Sequence, residues 1–286
     1  MQRENFKLKD GRNLEYSSNA VQSPEAVILH AGTIQDISGW PTWFEYFKSR
    51  GVRALAIGRS GYVNSSKKPG RITIDIANDV SELANHLGIN RMVNFGLSGG
   101  GQHAIATGLD PKCVGVVTSG SLAPFAELGN DFYQGMQQAD IDEYGDALRN
   151  DFDSLIRRFE EWIGLSTSIK LEDPNLSTND RRCYEKESAK ALFDSCQVTM
   201  NAGWDWVEDD YSSYLGPWGF DPRDVKVPVV IFQGGLDLNV PPVHGKWLAA
   251  NIPNATLNFI EDESHIGVHI NYETQIMDYA IKLLKG

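Results

Sequence analysis

The sequence predicts an α/β protein in which a mostly parallel, eight-stranded sheet is flanked by helices and carries a helical cap insertion. Short apolar runs alternate with helical patterns in the first and last parts of the chain. Such runs are typical of strands buried on both faces, and their alternation with helices indicates a parallel sheet. Residues 123–221 break this alternation. We therefore expect a core of residues 1–122 and 222–286 and a cap of residues 123–221.

Eight strands are predicted in the core. Asp10-Gly11 separates Phe6-Lys7-Leu8 from Leu14-Glu15-Tyr16 and predicts a hairpin, because this pair tolerates the positive φ angles of a tight turn. The other six predicted strands are residues 26–29, 52–57, 92–95, 114–118, 227–232 and 255–260. Helical spacing predicts helices at residues 41–49, 75–87, about 97–109 and 272–284.

The predicted cap contains no clear buried strand and is rich in acidic and aromatic residues. We expect it to fold over the sheet and to form the lid of an apolar substrate pocket. One face of a cap helix is predicted from the spacing of Leu148, Phe152, Leu155, Ile156 and Phe159. Candidate pocket residues are Leu97, Phe125, Trp162 and Trp204.

Composition limits the class of protein and its partners. The chain has 286 residues and a formal net charge of −12, which disfavours nucleic acid or an anionic membrane surface as a partner. No apolar stretch has the length of a membrane-spanning helix, and the polar start lacks the apolar region of a secretory signal. We expect a cytoplasmic protein that acts on a small molecule, and the oligomeric state stays open.

A serine stands in a sequence context that favours nucleophilic catalysis. Gly96-Leu97-Ser98-Gly99-Gly100 follows a predicted buried strand and opens a predicted helix. A sharp strand-to-helix turn exposes a nucleophile at the sheet edge, and small neighbours allow the backbone to bend that tightly. The N–H of Gly99, at the positive end of the helix, is placed to bind a developing oxyanion.

A serine hydroxyl needs a base, and the base needs an acid that orients it. His265 follows the last predicted strand, in a loop before the final helix, and Asp237 follows strand 227–232. Because the carboxyl ends of parallel strands meet at one edge of a sheet, we expect Ser98, Asp237 and His265 to lie together. The alternative acid position, after strand 114–118, offers Gly120-Ser121-Leu122-Ala123 and therefore no carboxylate.

A second oxyanion donor is expected from the loop after strand 26–29, where the candidates are the backbone N–H groups of Gly32 and Thr33. We expect His30 to stabilise this loop through a hydrogen bond.

His265 and His269 have the spacing of a helical metal pair, but the acid of an H-E-x-x-H motif is missing between them. No metal site and no cofactor is predicted.

Several segments together resemble the α/β-hydrolase superfamily, especially capped bacterial esterases and related hydrolases. The matching segments are Leu29-His30-Ala31-Gly32, Gly58-Arg59-Ser60-Gly61-Tyr62, Gly96-Leu97-Ser98-Gly99-Gly100, Asp237-Leu238-Asn239-Val240-Pro241 and Ser264-His265. The order serine, acid, histidine along the chain is also the order of this superfamily. Two positions depart from it, since Ala31 and Gly58 stand where members commonly carry glycine and aspartate.

The residues and the resemblance together predict a serine hydrolase that cleaves a carboxylic ester or lactone of a small, largely apolar molecule through an acyl-enzyme. The same triad also serves carbon–carbon bond hydrolases, amidases and acyltransferases to acceptors other than water. Because fold does not determine function, two alternatives outside enzymes stay open, a ligand-binding protein on a hydrolase scaffold and a pure interaction or scaffold protein.

Overall fold

The computed structural model describes residues 2–166 and 178–286, and within these residues eight strands form a single sheet. The strands are β1 (Gln2–Lys7), β2 (Asn13–Ser18), β3 (Glu25–His30), β4 (Arg53–Ile57), β5 (Arg91–Leu97), β6 (Cys113–Ser119), β7 (Val229–Gly234) and β8 (Ala255–Ile260). Their order across the sheet is β1-β2-β4-β3-β5-β6-β7-β8. Strand β2 pairs antiparallel with both β1 and β4, and the other pairs are parallel. The predicted fold class is confirmed.

Helices cover the sheet and build the insertion. In chain order they are α1 (Pro41–Ser49), α2 (Asp75–His86), α3 (Gly101–Thr107), α4 (Phe125–Leu128), α5 (Gln138–Leu148), α6 (Phe152–Ser166), α7 (Thr178–Tyr184), α8 (Glu187–Ala202), α9 (Val207–Leu215), α10 (Pro242–Asn251), α11 (His265–Asn271) and α12 (Glu273–Lys285). Helices α4 to α9 lie between β6 and β7, in the predicted cap. The order of elements thus places the insertion after the sixth strand.

Alternating side chains of the central strands enter two separate apolar layers. On β3, Val27 and Leu29 pack on one face of the sheet, whereas Ala26 and Ile28 pack on the other. Successive residues of a strand point to opposite faces, so a strand covered on both sides needs apolar residues at every position. The continuous apolar runs in the sequence reflect this burial.

The structure differs from the sequence-based expectation in two helical regions. Leu148 ends α5 and is 51% exposed, so it does not continue the apolar face of α6. The chain turns at Asn150, whose φ of 57° interrupts the helix, and the Asp151 carboxylate accepts the N–H of Ser154 at 3.1 Å. His265 is the first residue of α11 rather than a loop residue, because Ser264 caps this helix by accepting the N–H of Gly267 at 3.1 Å.

A third apolar cluster joins side chains of the helical insertion with side chains of the core. Ile34, Tyr62 and Val240 of the core pack with Trp206 and Tyr211 of the cap. Burial of large side chains between the two parts stabilises the cap on the carboxyl edge of the sheet. The helical insertion therefore packs on the loops that follow β3, β4 and β7.

Candidate active site

The three candidate catalytic residues follow three parallel strands. Ser98 comes directly after β5, Asp237 lies three residues after the end of β7, and His265 begins α11 after β8. The carboxyl ends of β5, β6, β7 and β8 lie side by side at one edge of the sheet. Ser98 and His265 both line one cavity above this edge.

Ser98 sits on a strained turn. It has a φ of 51°, and a 3-10 turn over Ser98–Gly100 joins β5 to α3. A positive φ costs a non-glycine residue on the order of 1–3 kcal/mol, which persists only where the surrounding structure enforces it. A side chain at Gly100 would overlap the backbone of His30 and Ala31, at the end of the neighbouring strand β3. The turn that carries Ser98 therefore requires glycine at position 100.

His265 and Asp237 form a buried hydrogen-bonded pair. Nδ1 of His265 lies 2.7 Å from Oδ2 of Asp237, and because a carboxylate only accepts, Nδ1 carries the proton. The other carboxylate oxygen accepts the backbone N–H groups of Asn239 and Val240 at 3.0 and 2.8 Å. This arrangement fixes the carboxylate and leaves Nε2 of His265 as a proton acceptor.

The surroundings of His265 favour its charged form. Burial opposes the charge, but the negative charge and hydrogen bond of Asp237, together with the more distant Asp140, raise the pKa of His265 above its usual value. A raised pKa strengthens the imidazole as a base and stabilises the imidazolium that forms after proton transfer.

Gly120, at the end of β6, makes room for this pair. Its φ is 58°, and a Cβ at this position would lie 2.8 Å from Cε1 of His265 and 3.3 Å from Oδ2 of Asp237. From the sequence, Gly120 was considered only as part of a segment after strand 114–118 that offers no carboxylate. Its steric role depends on how β6 lies between β5 and β7, which no local pattern reveals.

The two halves of the expected oxyanion site lie next to each other. A Cβ at Gly32 would lie 3.3 Å from Cβ of Ser98, and a Cβ at Gly99 would overlap the hydroxyl of Thr33. The N–H of Gly32 already donates to Oε1 of Gln35 at 2.9 Å. Of the two predicted second donors, this contact favours the N–H of Thr33.

A cavity of about 490 Å³ opens beside Ser98 and His265. Its walls combine residues of the candidate oxyanion loop (residues 31–34, after β3), the Asp237 loop and helices α5 to α9. Apolar and aromatic lining residues are Ile34, Tyr144, Phe159, Tyr184, Leu192, Phe193, Tyr211, Val240 and Ile266. Its volume is in the usual range for small-molecule sites.

Three of the four predicted pocket residues do not line the cavity. Leu97 is fully buried in the apolar layer of the sheet, because β5 continues to this residue. Phe125 packs on Phe132, with ring centroids 5.2 Å apart, and Trp204 stacks on Phe159 at 6.2 Å. Both aromatic side chains pack the cap rather than line the cavity. Trp162 belongs to α6, and its side chain lies outside the described part of the structure.

Charged side chains of the cap enter the cavity, where an apolar wall was expected. Asp140, Glu143, Arg158 and Glu161 all line it. Burial, and then the charge of Asp140, raises the pKa of Glu143 to about 8, while the Tyr211 hydroxyl donates to its carboxyl at 2.9 Å. These surroundings therefore favour the neutral form of Glu143. Sequence reasoning missed Asp140 and Glu143, although their spacing of three residues puts them on one helix face.

Two other histidines have structural roles. Nε2 of His30 lies 3.0 Å from Oδ1 of Asn94 on β5, and burial lowers the pKa of His30 to about 4. His269 is buried among aromatic rings, with its centroid 5.7 Å from that of Phe95 and 5.2 Å from that of Trp43. Across the described residues, no group of three or more His, Cys, Asp or Glu side chains is arranged to hold a metal ion.

Comparison with known proteins identifies the fold. No protein-family model and no curated protein sequence matches this chain. An esterase from Exiguobacterium antarcticum has a similar structure, with a TM-score of 0.71 and 15% identity over 100% of both chains. The enol-lactonase from Burkholderia xenovorans LB400 gives a TM-score of 0.69 and 18% identity over 99% of this chain and 100% of its own.

A thermophilic esterase from Thermogutta terrifontis is similar to the same degree, with a TM-score of 0.69 and 19% identity over 100% of this chain and 99% of its own. The chain therefore has the α/β-hydrolase fold, as the resemblance in its motifs predicted. Within residues 2–166 and 178–286, no helix combines the length and apolar composition needed to cross a bilayer.

Proposed function

We propose that this protein is a serine hydrolase that cleaves a carboxylic ester or lactone of a small molecule through an acyl-enzyme. The observation that carries the proposal is the 2.7 Å bond between His265 and Asp237, made by a histidine that lines the same cavity as Ser98. The strained backbone of Ser98 and the adjacent oxyanion loop support it further. The structurally similar esterases and enol-lactonase support the ester and lactone class.

In the proposed mechanism, Nε2 of His265 takes the proton of the Ser98 hydroxyl as its oxygen attacks the substrate carbonyl carbon. The backbone N–H groups of Gly99 and Thr33 bind the oxyanion. His265 then gives its proton to the leaving alcohol oxygen, and the acyl group stays on Ser98. Water attacks this ester with His265 again as the base, which releases the acid and restores the serine. Asp237 holds the imidazole tautomer and stabilises its charged form throughout.

The cavity favours a substrate with both apolar and polar parts. Its aromatic and aliphatic walls suit the apolar acyl or alcohol part that we expect. A protonated Glu143 beside Asp140 offers a hydrogen-bond donor and an acceptor to a polar group of the substrate. Carbon–carbon bond hydrolysis and acyl transfer to another acceptor use the same triad, and product analysis separates them from ester hydrolysis.

The test compares Ser98→Ala with the wild type in fluorophosphonate labelling and in hydrolysis of short p-nitrophenyl esters and lactones. Ser66→Ala is the control, because Ser66 is partly exposed like Ser98 but its hydroxyl accepts the N–H of Asn13 at 2.9 Å. We expect Ser98→Ala to lose labelling and several orders of magnitude in kcat, and Ser66→Ala to retain both. Unchanged turnover in folded Ser98→Ala would rule out the acyl-enzyme mechanism.

A further inference from the structure

A fully buried ion cluster lies behind the oxyanion loop and joins it to the cap. Arg59 and Arg71 of the core both form ion pairs with Asp210, a residue of the cap helix α9. The three side chains are 1%, 3% and 0% exposed. Burial and the neighbouring Arg59 lower the pKa of Arg71 to about 10, so the two cations require a counter-charge. Asp210 supplies that charge from the cap.

Arg59 connects Asp210 to the backbone of the loop. Its Nη2 donates to Oδ2 of Asp210 at 2.7 Å and to the carbonyl of Gly32 at 3.2 Å. Its Nη1 donates to the carbonyl of Ala31. The carbonyl of Gly32 and the N–H of Thr33 belong to one planar trans peptide and point in opposite directions. A guanidinium bound to that carbonyl therefore sets the direction of the Thr33 N–H.

Two tyrosine hydroxyls make further connections from Asp210 to the same loop. Tyr214 donates to Oδ2 of Asp210 at 2.7 Å, and its oxygen lies 3.0 Å from Oγ1 of Thr33. Tyr62 also donates to Asp210, and its oxygen accepts the N–H of Ile34 at 3.3 Å. Arg59, Tyr62 and Tyr214 thus share Asp210 as a partner, and each contacts residues 31–34.

We propose that Asp210 is a positioning residue that orients the oxyanion loop through Arg59 and Tyr214, so that the cap supplies part of the catalytic framework. This inference rests on the proposed serine hydrolase function. The residue before Arg59 is Gly58, which has no carboxylate. The carboxylate that pairs with the Arg59 guanidinium comes from Asp210 on α9. Because the bonds are fully buried, loss of the Asp210 charge weakens all of them together. Asp210 itself does not line the cavity.

The test uses Asp210→Asn and Tyr214→Phe, with Asp209→Asn as the matched control. Asp209 is the neighbouring acid on α9, is 1% exposed, and accepts the N–H of Gly70 at 3.2 Å. Three readouts are taken on each folded variant: kcat and KM for a p-nitrophenyl ester, the pH profile, and amide hydrogen exchange of residues 31–34. Tyr214→Phe removes a single hydroxyl and decides the question if Asp210→Asn does not fold.

We expect Asp210→Asn to lower kcat by about 10²-fold, as for loss of an oxyanion donor, and Tyr214→Phe by about 10-fold. KM stays within about threefold of the wild type, and the pH profile is unchanged because His265 keeps its partner. Amide hydrogen exchange at residues 31–34 is faster than in the wild type in both variants, and it is unchanged in Asp209→Asn.

Two results would overturn the proposal. One is a wild-type kcat, with wild-type amide exchange at residues 31–34, in folded Asp210→Asn and Tyr214→Phe. The other is a loss of kcat in Asp209→Asn as large as that in Asp210→Asn, which would indicate a general packing effect. If the wild type neither reacts with fluorophosphonate nor turns over esters, the hydrolase function fails instead. The exchange rates then still decide whether Asp210 orders the loop.

Discussion

The side-chain amide of Asn239 donates a 2.8 Å hydrogen bond to the carboxylate of Asp140. Asn239 belongs to the loop of the candidate triad acid, and its backbone N–H binds Asp237. Asp140 belongs to α5 of the cap and lines the cavity beside His265. The cap thus places a second carboxylate near the imidazole, and burial raises the pKa of that carboxylate. This relationship makes the cap part of the electrostatics of the site.

Asp140→Asn should move the acidic limb of the kcat/KM profile to lower pH. Asp140 is one of the charges that raise the pKa of His265, so its removal lowers that pKa. The neutral imidazole is the active form, and its population then rises at a lower pH. Asp142→Asn is the control, because Asp142 is on the same helix but does not line the cavity. An acidic limb that stays in place, or moves to higher pH, would contradict the role of Asp140.

Asp237→Asn should lower kcat by about 10⁴-fold, as in triads whose acid is replaced by its amide. The amide keeps the size of the side chain but does not hold the proton on Nδ1 of His265. Steady-state kinetics with a p-nitrophenyl ester measures the effect. Asp262→Asn, at an exposed position before α11, should retain wild-type kcat. A loss of less than about 10-fold in folded Asp237→Asn would show that another group orients the histidine.

Gly120→Ala should reduce both stability and kcat, whereas Gly88→Ala should reduce stability alone. Both glycines have positive φ, 58° and 67°, which costs alanine about 1–2 kcal/mol. Only at position 120 would the added Cβ meet His265 and Asp237, since nothing lies within 4 Å of it at position 88. Urea unfolding and ester hydrolysis separate the two effects. Equal kcat in the two variants would show that the pair does not need this space.

His269→Phe should make the protein less sensitive to acid. Burial lowers the pKa of His269 to about 3, below the usual value of about 6.5 that we assign to the unfolded chain. A depressed folded pKa stabilises the fold above the unfolded value, and this contribution is lost as pH falls from about 6.5 towards 3. Phenylalanine keeps the ring beside Phe95 and Trp43 and removes the titration.

The measurement is the free energy of unfolding in urea at several pH values between 7 and 4. The difference between His269→Phe and the wild type should shift in favour of the variant as pH falls. A difference that is independent of pH would show that His269 titrates equally in the folded and unfolded states.

The strands and the nucleophile turn are predictable because their causes are local. Burial on both faces requires continuous apolar runs, and β8 begins and ends where the pattern placed it. The turn at Ser98 requires small neighbours, which the glycines beside it provide. The two helical differences also have local causes, in the positive φ of Asn150 and the capping by Ser264, but these signals are weaker than hydrophobic periodicity.

The sequence by itself determined the fold class and the positions of the eight strands along the chain, and it predicted a cap insertion and a place for Ser98, Asp237 and His265 at one sheet edge. Parallel strands bring their carboxyl ends together whatever the loops contain, so such positions follow from the pattern alone. Only the tertiary structure decided that Asp140 and Glu143 line the cavity, that Gly120 makes room for His265, and that Asp210 reaches Arg59. These relationships join side chains that are far apart in the chain, and individual tertiary contacts of this kind leave no periodic signal in the sequence.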